Sequence, residues 1–247
     1  MRSWPRRRSG GELWPLSNGT ERRILCYITD RMGLAADFGG AAGAEVEVAR
    51  LLERIRWAID GEVDWIQIRE KDLGGGQLAA LACGAVAALG AGQRSRVIVN
   101  DRLDVAVAAG AGGVHLGRES LPVREVAAWR AKERIARPEL AEFLIGTSCH
   151  SLEDARAAAT AGADYLIFGP VFETPSKIKF GAPLGIDRLR EVCTAIRIPV
   201  LAIGGIDLAN AGKCFEAGAA GIAAIRLFQD AKSAEELRAR IEASRFS

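Results

Sequence analysis

Residues 143–170 read FLIGTSCHSLEDARAAATAGADYLIFGP, and this stretch decides the fold. It opens with a β-compatible apolar run over 143–148. Ser151 follows as a helix-capping hydroxyl, with Asp154 three residues later in a capping-box position. A helical pattern runs over 152–161, and Gly162 accepts the left-handed conformation that ends a helix. A second β-compatible run covers 165–169. Strand, helix and strand in that order require a crossover connection, and so two parallel strands.

The same unit recurs outward in both directions. Strand-like runs occupy 24–30, 63–69, 96–100, 113–116, 143–148, 165–169, 200–204 and 221–225. Helical patterns lie at 46–59, 77–89, 152–161, 186–196, 208–217 and 234–244. Leu51, Leu52, Ile55 and Ile59 share one helical stripe. Ala-Gly pairs at 109–111, 161–164 and 217–219 mark helix stops before strands. Eight strands without a linker predict an α/β fold, a single (β/α)8 TIM barrel with parallel strands. An open doubly wound sheet is the alternative, but polar residues at so many strand ends favour the barrel. The Gly- and Ala-rich stretch 32–45 reads as a mobile loop at the active-site end.

Composition agrees. At 247 residues the chain has the length of one such barrel. With 28 Gly and only 6% aromatics, small aliphatic side chains must build the core. Residues 1–23 carry six Arg against Glu12 and Glu21, so +4 sits there and −2 remains on the body of a chain whose net charge is +2. Residues 1–23 therefore read as a disordered basic extension and 24–247 as the barrel. A mildly acidic body argues against nucleic-acid binding. No apolar run reaches the roughly 18–20 residues that span a bilayer. The five Cys (26, 83, 149, 193 and 214) include no CxxC pair, which points to a reduced cytoplasmic protein with neither disulfide frame nor zinc site. Apolar helix faces are compatible with a homodimer.

In a barrel of this kind the chemistry belongs at the C-terminal ends of the strands. The second strand ends in Gln67-Ile68-Arg69-Glu70-Lys71. Alternation points Gln67, Arg69 and Lys71 to the same side, the barrel mouth, where Arg and Lys suit phosphate oxygens. The competing reading is a surface salt-bridge cluster with Glu70 and Asp72. The third strand ends in Asn100-Asp101-Arg102, where Asp101 can hold Mg²⁺ or cap the next helix. His115, bracketed by apolar residues, reads as a hydrogen-bonded core histidine. Ser148 and His150 can both face the mouth, and His150 can move protons near neutral pH. Cys149 is a candidate nucleophile, without special support from its surroundings in the sequence. Thr174, Ser176 and Lys177 follow Gly169-Pro170 as an anion-binding loop or as an exposed turn. Gly204 and Gly205, with Ile225 and Arg226 at the eighth strand end, occupy positions where barrels often bind phosphate.

Taken together, TD at 29–30, QIREKDL at 67–73, NDR at 100–102, GVHLG at 113–117, GTSCHS at 146–151, GPVFETPSK at 169–177 and AIGGI at 202–206 resemble the thiamine phosphate synthase/TenI family. The resemblance covers about 24–230, in order. It implies a (β/α)8 barrel that joins a hydroxymethylpyrimidine pyrophosphate to a thiazole phosphate, releasing pyrophosphate. It implies that Gln67, Arg69, Lys71 and Asn100 contact the pyrimidine pyrophosphate, and that Asp101 binds Mg²⁺. Thr174, Ser176 and Lys177 would meet phosphate groups, with Lys177 on the leaving pyrophosphate. Gly205 and the eighth strand end would hold the thiazole phosphate. Two departures stand out: the family's second metal-binding Asp is Ser120 here, and its usual Val-Ser at the eighth strand end is Ile225-Arg226. TenI-like members are thiazole tautomerases, for which His150 would be the acid/base. Retention of Lys71, Asn100, Asp101 and Lys177 favours the synthase. A non-catalytic thiazole- or thiamine-phosphate-binding protein is the third reading.

Overall fold

The computed structural model describes residues 22–36, 43–173 and 182–243. Eight strands pair in sequence order, all parallel: β1 (Ile24–Ile28), β2 (Trp65–Ile68), β3 (Arg96–Asn100), β4 (Gly113–Leu116), β5 (Leu144–Cys149), β6 (Tyr165–Phe168), β7 (Val200–Ile203) and β8 (Gly221–Ala224). Pairing of β8 with β1 closes the barrel. Around it run α1 (Arg31–Ala36), α2 (Ala44–Asp60), α3 (Gly75–Ala87), α4 (Leu103–Ala108), α5 (Val123–Glu133), α6 (Leu152–Thr160), α7 (Gly185–Ala195), α8 (Ala211–Glu216), α9 (Arg226–Gln229) and α10 (Ala234–Ala243). A 3₁₀ turn (Pro138–Glu142) precedes β5.

Closure separates two cores. Ile24, Cys26 and Ile28 point inward with Trp65, Ile98, Tyr165 and Leu201. Their neighbours Leu25 and Tyr27 point outward, against the helices, with Ile66, Val97 and Val99. Such strands are buried on both faces, which is why they read as unbroken apolar runs. The small residues make room for large ones. A Cβ on Gly146 would lie 1.9 Å from Cζ of Tyr165, so glycine there lets the tyrosine ring cross the barrel interior.

The N-terminal end of the barrel is tied by ions. Asp64, buried, accepts from the Leu25 N–H at 2.9 Å, Arg22 Nε at 3.1 Å and Arg238 Nη2 at 2.6 Å. One carboxylate thereby joins β1, β2 and α10. Arg23 lies over the Phe215 ring, 5.0 Å from its centroid.

Three local readings change. Within 32–45, residues through Ala36 belong to α1, and α2 already begins at Ala44; 37–42 lie outside the described residues. Asp30 starts α1, accepting the Gly33 N–H on Oδ1 at 3.0 Å. The eighth strand ends at Ala224, and Ile225-Arg226 turn into α9 instead of extending it. The pattern at 208–217 becomes helix only from Ala211, because Asp207 Oδ1 takes the Ala209 and Asn210 N–H groups in a tight turn.

Candidate active site

The end of β2 divides its polar residues between two environments. Gln67 is 2% exposed and donates from Nε2 to Asn100 Oδ1 at 3.2 Å. Its Oε1 is buried without a partner among the described residues. A buried acceptor left open is costly unless a ligand fills it. Arg69 and Lys71 are exposed at the mouth. Glu70 turns the opposite way and is buried, where it accepts the Thr29 hydroxyl at 2.5 Å and the Arg31 N–H at 3.1 Å. Burial pushes its carboxyl above the ordinary range, with the Thr29 and Arg31 donors opposing.

Arg31, 4% exposed, is the hub of this arrangement. It pairs with Glu47 of α2 at 2.5 Å and with Asp72 beyond β2. The surface cluster that would have joined Arg69 and Lys71 to Glu70 and Asp72 does not form. Arg31 takes those carboxylates, and Arg69 and Lys71 have no ion pair among the described residues. Sequence reasoning missed Thr29, Arg31 and Glu70 as supports. The signal was present in Glu70 itself, a carboxylate out of phase with the mouth-facing alternation.

Asp101 ends β3 in the left-handed region, at φ +63°. Its Oδ2 accepts from Asn100 Nδ2 at 2.6 Å, and its Oδ1 accepts from the Gly117 N–H at 3.1 Å and from the Ser120 hydroxyl. It is therefore not the cap of α4, whose N-cap residue is Arg102 without a side-chain cap bond. Lys71, Asn100, Asp101 and Arg102 line a cavity of about 240 Å³ at this end of the barrel. A larger cleft of about 630 Å³ lies along α4 and α5 and shares Asp101 and Arg102. Its walls are mainly apolar, so the smaller cavity, with its converging polar groups, is the better candidate for charged ligands.

A metal would meet one carboxylate here. Among the described residues no three His, Cys, Asp or Glu side chains gather closely enough to cage an ion. The donor set of Asp101 with the Ser120 hydroxyl suits a hard cation that draws its remaining ligands from water and substrate phosphates, the usual habit of Mg²⁺.

On β4, His115 is buried and reaches Ser148 Oγ through Nε2 at 2.9 Å and the Tyr165 hydroxyl through Nδ1 at 3.2 Å. Burial lowers its pKa to about 4, so it is neutral at physiological pH. Ser148 is exposed at the mouth. His150 is also exposed, and its Nδ1 lies 2.5 Å from the Gly169 carbonyl. The Ser151 hydroxyl caps α6 by accepting the Asp154 N–H at 3.0 Å. Cys149 is 1% exposed and burial pushes its thiol up to about 12, which removes it as a nucleophile.

The loop after β6 is laid on the end of β7. Val171 N–H donates to the Ile203 carbonyl at 2.8 Å and Phe172 N–H to the Gly204 carbonyl at 3.0 Å. Gly204 (φ +99°) and Gly205 (φ +63°) both need glycine: a Cβ would lie 2.6 Å from Pro170 Cβ in the first case and 2.2 Å from the Glu173 carbonyl in the second. Thr174, Ser176 and Lys177 lie outside the described residues. The chain leading to them and the chain leaving them meet at the same place, since Leu184 N–H donates to Pro170 O at 2.8 Å. Ile225 and Arg226 open α9, a short helix after β8 where barrels commonly hold a phosphate on backbone N–H groups. Arg54 clamps this helix by donating to the Gln229 and Ala231 carbonyls at 2.8 and 2.6 Å.

Residues 41–228 match the family model described as thiamine monophosphate synthase. A putative thiamine-phosphate synthase of Geobacter sulfurreducens is 45% identical over 176 residues, covering 71% of this chain and 78% of that protein. The thiamine-phosphate synthase of Chlorobium luteolum is 37% identical over 225 residues, covering 89% of this chain and 91% of its own. Among solved structures, a thiamine phosphate pyrophosphorylase from Pyrococcus furiosus superposes with a TM-score of 0.68 at 31% identity, covering 90% of this chain and 98% of that one.

Proposed function

The chain belongs to the thiamine monophosphate synthase family, and from that premise we propose that it joins 4-amino-2-methyl-5-hydroxymethylpyrimidine pyrophosphate to thiazole phosphate, giving thiamine phosphate and pyrophosphate. The observation that carries the reading is the cationic mouth. Arg31 collects Glu70 and Asp72, and so Arg69 and Lys71 are left to a polyanionic substrate.

The reaction breaks the bond between the pyrimidine methylene and the pyrophosphate oxygen. The thiazole nitrogen then forms the new C–N bond. The pyrimidine ring stabilises the cation between these events, and no protein nucleophile is needed, in keeping with the buried Cys149. Gln67 Oε1, open and buried, suits the exocyclic amino group of the pyrimidine, with Asn100 beside it. Arg69, Lys71 and Lys177 offset the charge that develops on the leaving pyrophosphate, and Thr174 and Ser176 donate to phosphate oxygens. Asp101, with Ser120 beside it, would hold Mg²⁺, which when bound neutralises the pyrophosphate. Gly204, Gly205 and the turn at Ile225-Arg226 would seat the thiazole phosphate. Alignment of the two substrates supplies the rest of the acceleration.

The reaction fits a reducing, cytoplasmic setting, because all five cysteines are free. No helix among the described residues is long and apolar enough to cross a membrane.

One observation favours a second reading, thiazole tautomerisation. The Gly169 carbonyl can only accept, so His150 Nδ1 donates to it, and Nε2 is left to exchange a proton with a ligand at the exposed mouth. The deciding experiment supplies purified protein with Mg²⁺, the pyrimidine pyrophosphate and thiazole phosphate, and measures thiamine phosphate. Steady product that disappears in Lys177→Ala supports the synthase. Folded protein that makes none overturns it, and proton exchange on thiazole phosphate, lost in His150→Ala, would then establish the tautomerase.

A further inference from the structure

The interior of the barrel holds a hydrogen-bonded chain that no step above uses. It runs from Tyr165 on β6, through His115 on β4, to Ser148 on β5 at the mouth. We infer that Tyr165 and His115 are positioning residues that fix the Ser148 hydroxyl as a hydrogen-bond donor into the barrel mouth, toward an anionic oxygen of the ligand.

The direction follows from counting protons. A neutral imidazole has one N–H and one acceptor nitrogen. The Tyr165 hydroxyl is buried, and its hydrogen-bond partner among the described residues is His115 Nδ1. Its hydrogen must go to that nitrogen, because the opposite assignment leaves a buried O–H without an acceptor. Nδ1 is then the acceptor, and the His115 proton sits on Nε2. Nε2–H donates to Ser148 Oγ, which lies 2.9 Å away. The hydrogen of the serine is thereby left free to point into the mouth. The opposite tautomer would draw that hydrogen inward and present only lone pairs.

The surroundings hold the chain in this state. Gly146 makes the space for the Tyr165 ring, and Trp65 packs against it with centroids 4.5 Å apart. Burial pushes the Tyr165 phenol well above its ordinary value, so it keeps its proton, and among the described residues each ring nitrogen of His115 faces a hydroxyl, not a carboxylate that would hold a second proton. A donor at the end of β5 suits phosphate oxygens and adds to the cations at the end of β2. The ligand's anionic character rests on the synthase reading; the direction of the relay rests on geometry alone.

The chain has only two histidines, which makes the test legible. ¹⁵N NMR of histidine-labelled protein reads each tautomer directly. His150 serves as the internal contrast, since its Nδ1 faces a carbonyl and must carry the proton. The expected result is Nε2–H for His115 and Nδ1–H for His150. Tyr165→Phe removes the donor and leaves His115 without a single fixed tautomer. Titrations with inorganic phosphate and with inorganic pyrophosphate complete the test. Ser148→Ala should weaken at least one of these anions about tenfold or more, the usual worth of a hydrogen bond to a charged group. Tyr165→Phe should weaken the same anion by a smaller factor, and the double variant should bind no worse than Ser148→Ala alone. His115 found as Nδ1–H, an unchanged tautomer in Tyr165→Phe, or losses that simply add would overturn the relay. Unchanged affinity of Ser148→Ala for both anions would overturn the donor role. None of these readouts needs turnover, so a failed synthase assay leaves them standing.

Discussion

Gly205→Ala tests whether the loop after β6 is positioned by the end of β7. Gly205 sits at φ +63°, where an alanine costs about 1–2 kcal/mol. Its Cβ would lie 2.2 Å from the Glu173 carbonyl oxygen and 2.8 Å from Phe172 Cβ. Comfortable C···O contact begins at about 3.3 Å, so the Glu173 carbonyl must retreat by about 1 Å. Glu173 directly precedes Thr174, Ser176 and Lys177. A misplacement of about 1 Å in positioned groups costs on the order of a hundredfold in rate, or about 2.7 kcal/mol. Strain alone should lower Tm by about 2–8 °C in a chain of this size. Gly92→Ala separates the two effects, because Gly92 has φ +87° and nothing within 4 Å of a Cβ. Steady-state formation of thiamine phosphate and thermal melts are measured on both variants. The expected pair is a Tm loss of about that size in Gly92→Ala, an equal or larger one in Gly205→Ala, and a hundredfold loss of kcat in Gly205→Ala only. Gly205→Ala with kcat within threefold of the parent would refute the positioning argument, and a matching loss in Gly92→Ala would assign the effect to strain.

Three further outcomes are expected. Asp64→Ala strips a buried carboxylate from Arg22, Arg238 and the Leu25 N–H and should cost about 3 kcal/mol or more in urea unfolding; under 1 kcal/mol would mean that the cluster contributes little. The folded pKa of His115 is about 4 against about 6.5 unfolded, so its contribution is present above pH 6.5 and is lost as pH falls toward 4. That amounts to at most about 3 kcal/mol, and His115→Gln should flatten the pH dependence of stability between pH 4.5 and 7.5; an unchanged slope would assign the acid sensitivity to other groups. Chelation should abolish thiamine phosphate formation, and Ser120→Asp should lower the Mg²⁺ concentration for half-maximal rate several-fold, whereas an unaltered Mg²⁺ dependence would place the metal away from Asp101.

Much of the architecture is legible because it is local. An unbroken apolar run in a doubly buried strand, a serine cap three residues before its N–H donor, and glycine at a helix stop involve neighbours in the chain. β3 and β4 match the predicted bounds, and the cap at Ser151 forms. The misreadings are local contests settled by turn chemistry: Asp207 delays α8, and α9 interrupts the last strand pattern. Strand-end polarity marked Gln67, Arg69, Lys71 and Asn100 as mouth residues for the same local reason, since alternation fixes the side on which each emerges.

What local reading could not supply is the choice of partner. Glu70 had Arg69 and Lys71 beside it in sequence, yet it accepts from Thr29 and Arg31, 41 and 39 residues away. His115 finds Tyr165 across 50 residues, because Gly146 gives the ring room. The sequence by itself determined a closed parallel barrel and which strand ends carry its polar groups. Only the tertiary structure decided which carboxylates are neutralised within the protein and which cations and hydroxyls remain for a ligand. The physical reason is desolvation. Once closure removes water, a buried charge or hydroxyl must take whichever partner lies within hydrogen-bond reach, and that reach is set by the packing of strands far apart in the chain.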